Sequence, residues 1–204
     1  MYCGIEKEYK QAKLRAAQSI STNVLPSNRE VAVELARLAE ENEEASGEHQ
    51  LLQLRKVALQ VMQMLARYTP RLIGSVWRGN IRRTSDIDIV VYSNESEKVV
   101  EHLKACGLVP SKIERVKAVK NGNCISTNHI HLELRIGERV EIVVRSPEAA
   151  EEVPRCEIFG DAVKGLTINE LADLLDKNPV ALFIPRAVAS KTSATLHSRL
   201  KKNT

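Results

Sequence analysis

Aromatic residues are scarce in this chain: one Trp, four Tyr and two Phe among 204 residues, or 3%. Leu, Ile, Val and Ala must therefore do most of the packing, and a hydrophobic share of 43% is enough for them to build a core. Domains commonly run to ~100–200 residues, so one compact unit with appendages is expected. Cysteine is also sparse. Cys3, Cys106, Cys124 and Cys156 are scattered, with no C-x-x-C pair and no histidine at ligand spacing. That argues against a disulfide framework or a zinc site and points to a reducing compartment. No apolar run approaches the ~20 residues that span a bilayer. The first twenty residues, rich in Lys, Glu and Gln, lack a secretory apolar core, so the expected location is cytoplasmic, with no membrane partner. Neither sign of charge dominates: 30 Lys and Arg stand against 26 Asp and Glu, a net of +4. A mild basic excess suits a partner that carries phosphates without identifying one. The basic residues are spread along the chain, which ranks a DNA- or RNA-binding module last. There is no internal repeat and no low-complexity block.

The first third reads as helical. A charged segment over residues 6–20 ends before Pro26, and Ser27 with Glu30 forms a capping box that opens a second helix. Gly47 is expected to interrupt it. Leu51, Leu54, Ala58, Val61 and Leu65 then form an amphipathic stripe, widened by Met62 and Met64 and stopped by Pro70. From there the pattern changes to short apolar runs divided by turns: 72–73, 87–92, a strand over 112–119 ending at Asn121-Gly122, and a hairpin of 130–136 and 140–144 across Gly137. Asn94 is expected to cap a helix over 95–106. Ser146-Pro147 opens a short helix, and Thr167 with Glu170 forms a second capping box. Residues 190–204 make a basic tail with little to bury and no interleaved aromatics. The expected division is a helical region over 1–70, an α/β domain over 71–189, and the tail.

The chemistry concentrates in Leu72-Ile73-Gly74-Ser75-Val76-Trp77-Arg78-Gly79 and Ser85-Asp86-Ile87-Asp88-Ile89-Val90-Val91. On a strand, Asp86 and Asp88 share one face and the aliphatic residues between them share the other. Two neighbouring carboxylates disfavour joint ionisation, and a cation between them removes that penalty. Mg²⁺, which seeks hard oxygen ligands, suits carboxylates combined with phosphates. Gly74 lets the backbone approach a bound group, and Ser75 adds a hydroxyl suited to phosphate oxygens. Arg78, Arg82 and Arg83 lie between the turn and the carboxylates.

A Gly-Ser turn followed by D-h-D on a strand (h being apolar) resembles the nucleotidyltransferase superfamily named after DNA polymerase beta. The form G-S-x-x-R-G … S-D-I-D is similar to its small members. The resemblance covers roughly residues 72–144. It implies a mixed β-sheet with helices on one face, and an N-terminal helical region beside it. It also implies metal-dependent transfer of a nucleoside monophosphate from a nucleoside triphosphate, such as ATP, with release of pyrophosphate. Under it, Gly74, Ser75, Arg78 and Ser85 take nucleotide-binding roles, and Asp86 and Asp88 hold Mg²⁺, with Mn²⁺ as the alternative ion.

The family places a third carboxylate on a later strand in an apolar setting. Glu141 is the choice and Glu133 the competitor. A three-residue loop over 136–138 would set Glu133 opposite Glu141 and put His129, His131, Glu133 and Glu141 on the polar face. Trp77 stands where many small members carry a small residue, and is read as a packing residue. The acceptor is left open among a protein side chain, an RNA end and a small molecule, as is a protein partner or homodimer. The alternative function is a catalytically inactive binding or regulatory protein on the same fold, antitoxin-like.

Overall fold

The computed structural model describes residues 9–120, 123–135 and 137–185, with the backbone alone for 36–46, 117–120 and 123–126. Helix α1 (Tyr9–Ser19) is followed by α2 (Asn28–Met64), a single helix of 37 residues. Its start is the expected capping box: Ser27 Oγ accepts from the Glu30 N–H, and Glu30 Oε2 accepts from the Ser27 N–H. The expected break at Gly47 does not occur. One glycine inside a helix costs only ~1 kcal/mol relative to alanine, and the apolar stripe from Leu51 onward anchors the turns beyond it.

Strand β1 (Arg71–Ile73) leads through α3 (Gly74–Arg78) to β2 (Ile87–Tyr92). Helix α4 (Ser96–Ala105), strands β3 (Pro110–Lys120), β4 (Asn123–Glu133) and β5 (Arg139–Arg145), and α5 (Ile168–Lys177) complete the order. Asn94 does not cap α4. Glu95 takes that position, and its N–H bonds the Ser93 hydroxyl instead. The segment after Ser146 is one 3₁₀ turn, Pro147–Ala150. Thr167 and Glu170 cap α5 as expected. The turn at Asn121-Gly122 and the tail from 190 onward lie outside the described residues.

The five strands form one mixed sheet in the order β1-β2-β5-β4-β3. Strand β5 lies parallel to β2, and the other pairings are antiparallel. The apolar alternation decides which face is buried. Ile87, Ile89, Val91, Ile130, Leu132, Val140, Ile142 and Val144 are all at most 4% exposed. Burial of each such side chain is worth ~1.5–3 kcal/mol. They join Leu54, Ala58, Val61, Met62 and Leu65 of α2, Val99 and Leu103 of α4 and Leu171 of α5 in one core. The second half of α2 is thus part of the wall behind the sheet. No described helix is long and apolar enough to cross a membrane.

Candidate active site

Strand β2 carries Asp88 between Ile87 and Ile89, and β5 carries Glu141 between Val140 and Ile142, so both acids project from the face opposite the core. Asp88 and Glu141 are direct cross-strand partners in the parallel pairing, and such strands run ~4.8 Å apart. Burial, then the charges of Glu141 and Asp86, push the Asp88 carboxyl up to about 7. The three acids expected to act together are therefore near enough to interact. Asp86 itself lies one residue before β2, where the chain enters the strand.

Gly74 is beside Asp88 for a steric reason. Its φ is +70°, and a Cβ at this position would lie 1.8 Å from Asp88 Oδ2. Only glycine tolerates both the backbone conformation and that approach. Ser75 follows in the first turn of α3 and is partly exposed. Ser85 closes the loop ahead of Asp86: its Oγ accepts from the Arg82 N–H at 2.8 Å, and its own N–H donates to Arg82 O at 2.9 Å.

Each outer carboxylate has a basic partner. Arg139, the first residue of β5, donates through Nε to Asp86 Oδ1 at 2.6 Å and through Nη2 to Thr84 O at 2.7 Å. His129 Nδ1 lies 2.5 Å from Glu141 Oε1, and Thr127 Oγ1 is 3.1 Å from its Nε2. The β4–β5 register differs from expectation by two residues. Glu133 faces Arg139, and His131 faces Glu141. The cause is the turn: Leu134 N–H bonds Glu138 O, and Gly137, at φ +97°, completes a loop one residue earlier than expected. Because the offset is even, the apolar and polar faces stay as expected, and Glu141, not Glu133, is the acid paired with Asp88.

Arg78 is placed elsewhere. It is 5% exposed, and its guanidinium makes a two-pronged ion pair with Asp161 at 2.9 and 3.1 Å and bonds Phe183 O at 3.0 Å. The Trp77 and Phe159 rings lie against it, 4.7 and 4.9 Å from centroid to Cζ. Trp77 is itself buried and near-parallel to the Phe183 ring, in keeping with its reading as a packing residue. Arg55 of α2, wholly buried, donates to Val76 O and Trp77 O in α3 and to Pro179 O and Ala181 O after α5. Burial lowers its ionisation to about 10, so it stays cationic near neutrality. Its role was readable in part, since an arginine sits on an otherwise apolar helical stripe at 51, 55, 58 and 62. The roles of Arg139 and Asp161 had no sequence signal, because both depend on distant partners.

Residues 54–121 match the family model of the nucleotidyltransferase domain. The match covers a third of the chain and makes that segment similar to a nucleotidyltransferase domain. It contains Gly74, Ser75, Asp86 and Asp88, while Glu141 lies beyond its end. Among solved structures, the chain is similar to a cytoplasmic RNA terminal U-transferase at 16% identity and a TM-score of 0.37, over 54% of this chain and 34% of that one. It is similar to the Cid1 poly(U) polymerase at 17% identity and a TM-score of 0.35, over 55% and 36%. It is also similar to a chain in the complex between the Type VI effector Tas1 and its immunity protein, at 16% and 0.25, over 78% and 75%. The chain spans about a third of the length of the first two. Likenesses this distant say nothing of substrate or acceptor. No curated protein matches the chain.

Proposed function

We propose that the protein transfers a nucleoside monophosphate from a nucleoside triphosphate to an acceptor hydroxyl, using divalent metal ions held by Asp86, Asp88 and Glu141. The observation that carries this reading is the cross-strand pair Asp88–Glu141 with Gly74 packed against Asp88 too closely for any side chain. The donor set suits Mg²⁺ or Mn²⁺: three carboxylates and no thiolate. Burial, with the charges of Glu141 and Asp86, raises Asp88 to about 7, a penalty on its ionised form that a cation offsets. Among the described residues no group of three acids, histidines or cysteines is already arranged as a metal site. The pairs Asp86–Arg139 and Glu141–His129 supply a reason, since each turns an outer carboxylate toward a base. Arg139 engages only Oδ1 of Asp86, which leaves Oδ2 for a cation and places a guanidinium beside the site. When bound, the metal lowers the pKa of the attacking hydroxyl and stabilises charge on the departing pyrophosphate.

The acceptor oxygen attacks the α-phosphorus, and the bond from that phosphorus to the oxygen bridging to the β-phosphate breaks. The hydroxyl proton passes to water, and pyrophosphate leaves with the electron pair. Gly74, through its backbone N–H, and Ser75, through its hydroxyl, would hold the β- and γ-phosphates. Glu141 is steadied by His129, and Ser85 fixes the loop that delivers Asp86. The inactive, antitoxin-like reading is not favoured, because the Gly-Ser turn and all three acids are present together.

The test is calorimetric titration of ATP, GTP, CTP and UTP, each with and without Mg²⁺, into the wild-type chain and into Asp86→Ala/Asp88→Ala. Binding that needs the metal and disappears in the double variant is the expected result. Failure of the wild type to bind any triphosphate would overturn the reading.

A further inference from the structure

A cavity of about 590 Å³ opens on the same sheet face as the carboxylates. Val90 and Tyr92 line it from β2, two and four residues beyond Asp88 and therefore on its face. Ile73, also in its wall, is the β1 partner of Asp88, and Arg145 lies four residues beyond Glu141 on β5. One two-residue repeat of a strand covers ~7 Å, so the cavity begins about that far from the acids.

Its direction is informative. Past the pairing Ile73↔Asp88, β1 runs on into Gly74 and Ser75 at the Ile87 end of β2, whereas Arg71 pairs with Val90 toward the other end. Along β2, the Gly-Ser turn and the cavity therefore flank Asp88 on opposite sides. In-line displacement at phosphorus demands that the attacking and leaving oxygens lie on opposite sides of it. With pyrophosphate drawn to the Gly-Ser turn, attack comes from the cavity.

The lining indicates what the attacker carries. Trp77 and Phe183, their rings stacked on each other 22° from parallel, contribute aromatic apolar surface to the lining. Arg71, Arg145 and Lys164 bring three cations to the lining, against the carboxylates of Glu152 and Glu170. Arg71 is committed to Lys164 O, and Glu170 Oε2 to the N–H and hydroxyl of Thr167. Arg145 and Lys164 have no ion-pair partner among the described residues. Apolar aromatic surface with two uncommitted cations suits a planar ring bearing an anion. The volume lies within the ~300–1,000 Å³ usual for small-molecule sites.

We infer that this cavity is the acceptor site, and that it takes a small molecule with a flat ring and a phosphate, the size of a nucleoside monophosphate. The inference rests on the triphosphate reading above and names the acceptor class for that same reaction. The acceptor's hydroxyl oxygen forms the new bond to the α-phosphorus, with the same loss of pyrophosphate and of the proton to water.

Trp77 is the chain's one tryptophan, so its fluorescence reports on the cavity directly. The experiment titrates AMP, GMP, CMP and UMP into the full chain and follows that emission, with calorimetry in parallel. At least one monophosphate should quench it saturably. Arg145→Glu, and separately Lys164→Glu, should each weaken that binding at least tenfold while leaving Mg²⁺-triphosphate binding within twofold. Asp86→Ala/Asp88→Ala should keep monophosphate binding while losing the triphosphate, so that failure of the metal site and failure of the cavity give different patterns. Absence of saturable binding by all four monophosphates would overturn the inference. It would equally be overturned if the triphosphate displaced the monophosphate and Arg145→Glu weakened both alike, which would make the cavity the donor's base site. Displacement by a short oligoribonucleotide that binds more tightly would assign the cavity to an RNA end instead.

Discussion

Replacing Asp88 by Asn should stabilise the metal-free protein in alkaline solution and do nothing for it in acid. The side chain titrates near 3.8 when exposed and at about 7 in this fold, through burial first and then the charges of Glu141 and Asp86. A carboxyl with a raised folded-state pKa favours folding below its unfolded pKa, and the benefit disappears as pH climbs through the folded value. The window is therefore about pH 4 to 7. Each pKa step is worth ~1.4 kcal/mol, so full ionisation of folded Asp88 costs ~4 kcal/mol. Side-chain relaxation sheds some of the repulsion, so the expected gain from Asp88→Asn at pH 8 is about 2–4 kcal/mol. For a chain of this size that is a rise in Tm of roughly 5–15 °C. Thermal denaturation followed by circular dichroism at pH 4, 6 and 8, without divalent ions, measures it. Mg²⁺ with a bound triphosphate should raise the Tm of the wild type at pH 8 and leave that of the variant unchanged. An equal gain at pH 4 and pH 8, or no gain at pH 8, would refute the account of Asp88 as a crowded, desolvated acid.

Gly74→Ala forces a Cβ to within 1.8 Å of Asp88 Oδ2 at a φ of +70°. Since a misplacement of ~1 Å at a reacting centre costs about 10²-fold, transfer should fall at least that far, together with a loss of about 1–2 kcal/mol in stability from the left-handed backbone. Parallel assays of pyrophosphate release and urea unfolding check both. Arg55→Met leaves four carbonyls without their donor. At ~1–3 kcal/mol for each unsatisfied buried group that water does not reach, we expect a loss of at least ~3 kcal/mol in urea denaturation. Asp161→Asn strands the buried Arg78 cation and should cost about 3–5 kcal/mol, while the Kd for Mg²⁺-triphosphate measured by calorimetry stays within twofold. A large rise in that Kd would restore Arg78 to the nucleotide contacts.

The sequence by itself determined the elements whose cause is local. Capping boxes at Ser27 and Thr167 are short-range bonds between a hydroxyl, a carboxylate and nearby backbone, so they were legible from four residues. The alternation through Ile87–Tyr92 and Arg139–Arg145 told which residues face the core, because a strand's side chains simply alternate. Gly74, with its neighbour in D-h-D, could be picked out as a close-approach glycine. Tertiary structure decided the rest, wherever the partner is far along the chain. Continuity of α2 through Gly47 depends on packing after Leu51, and the neighbour of Glu141 depends on a loop whose register can move by two residues without changing either face. The ion pairs Arg139–Asp86 and Arg78–Asp161 join residues 53 and 83 positions apart. No sequence period links such positions, so only the folded chain could show that one arginine guards the carboxylates and the other is locked in the core.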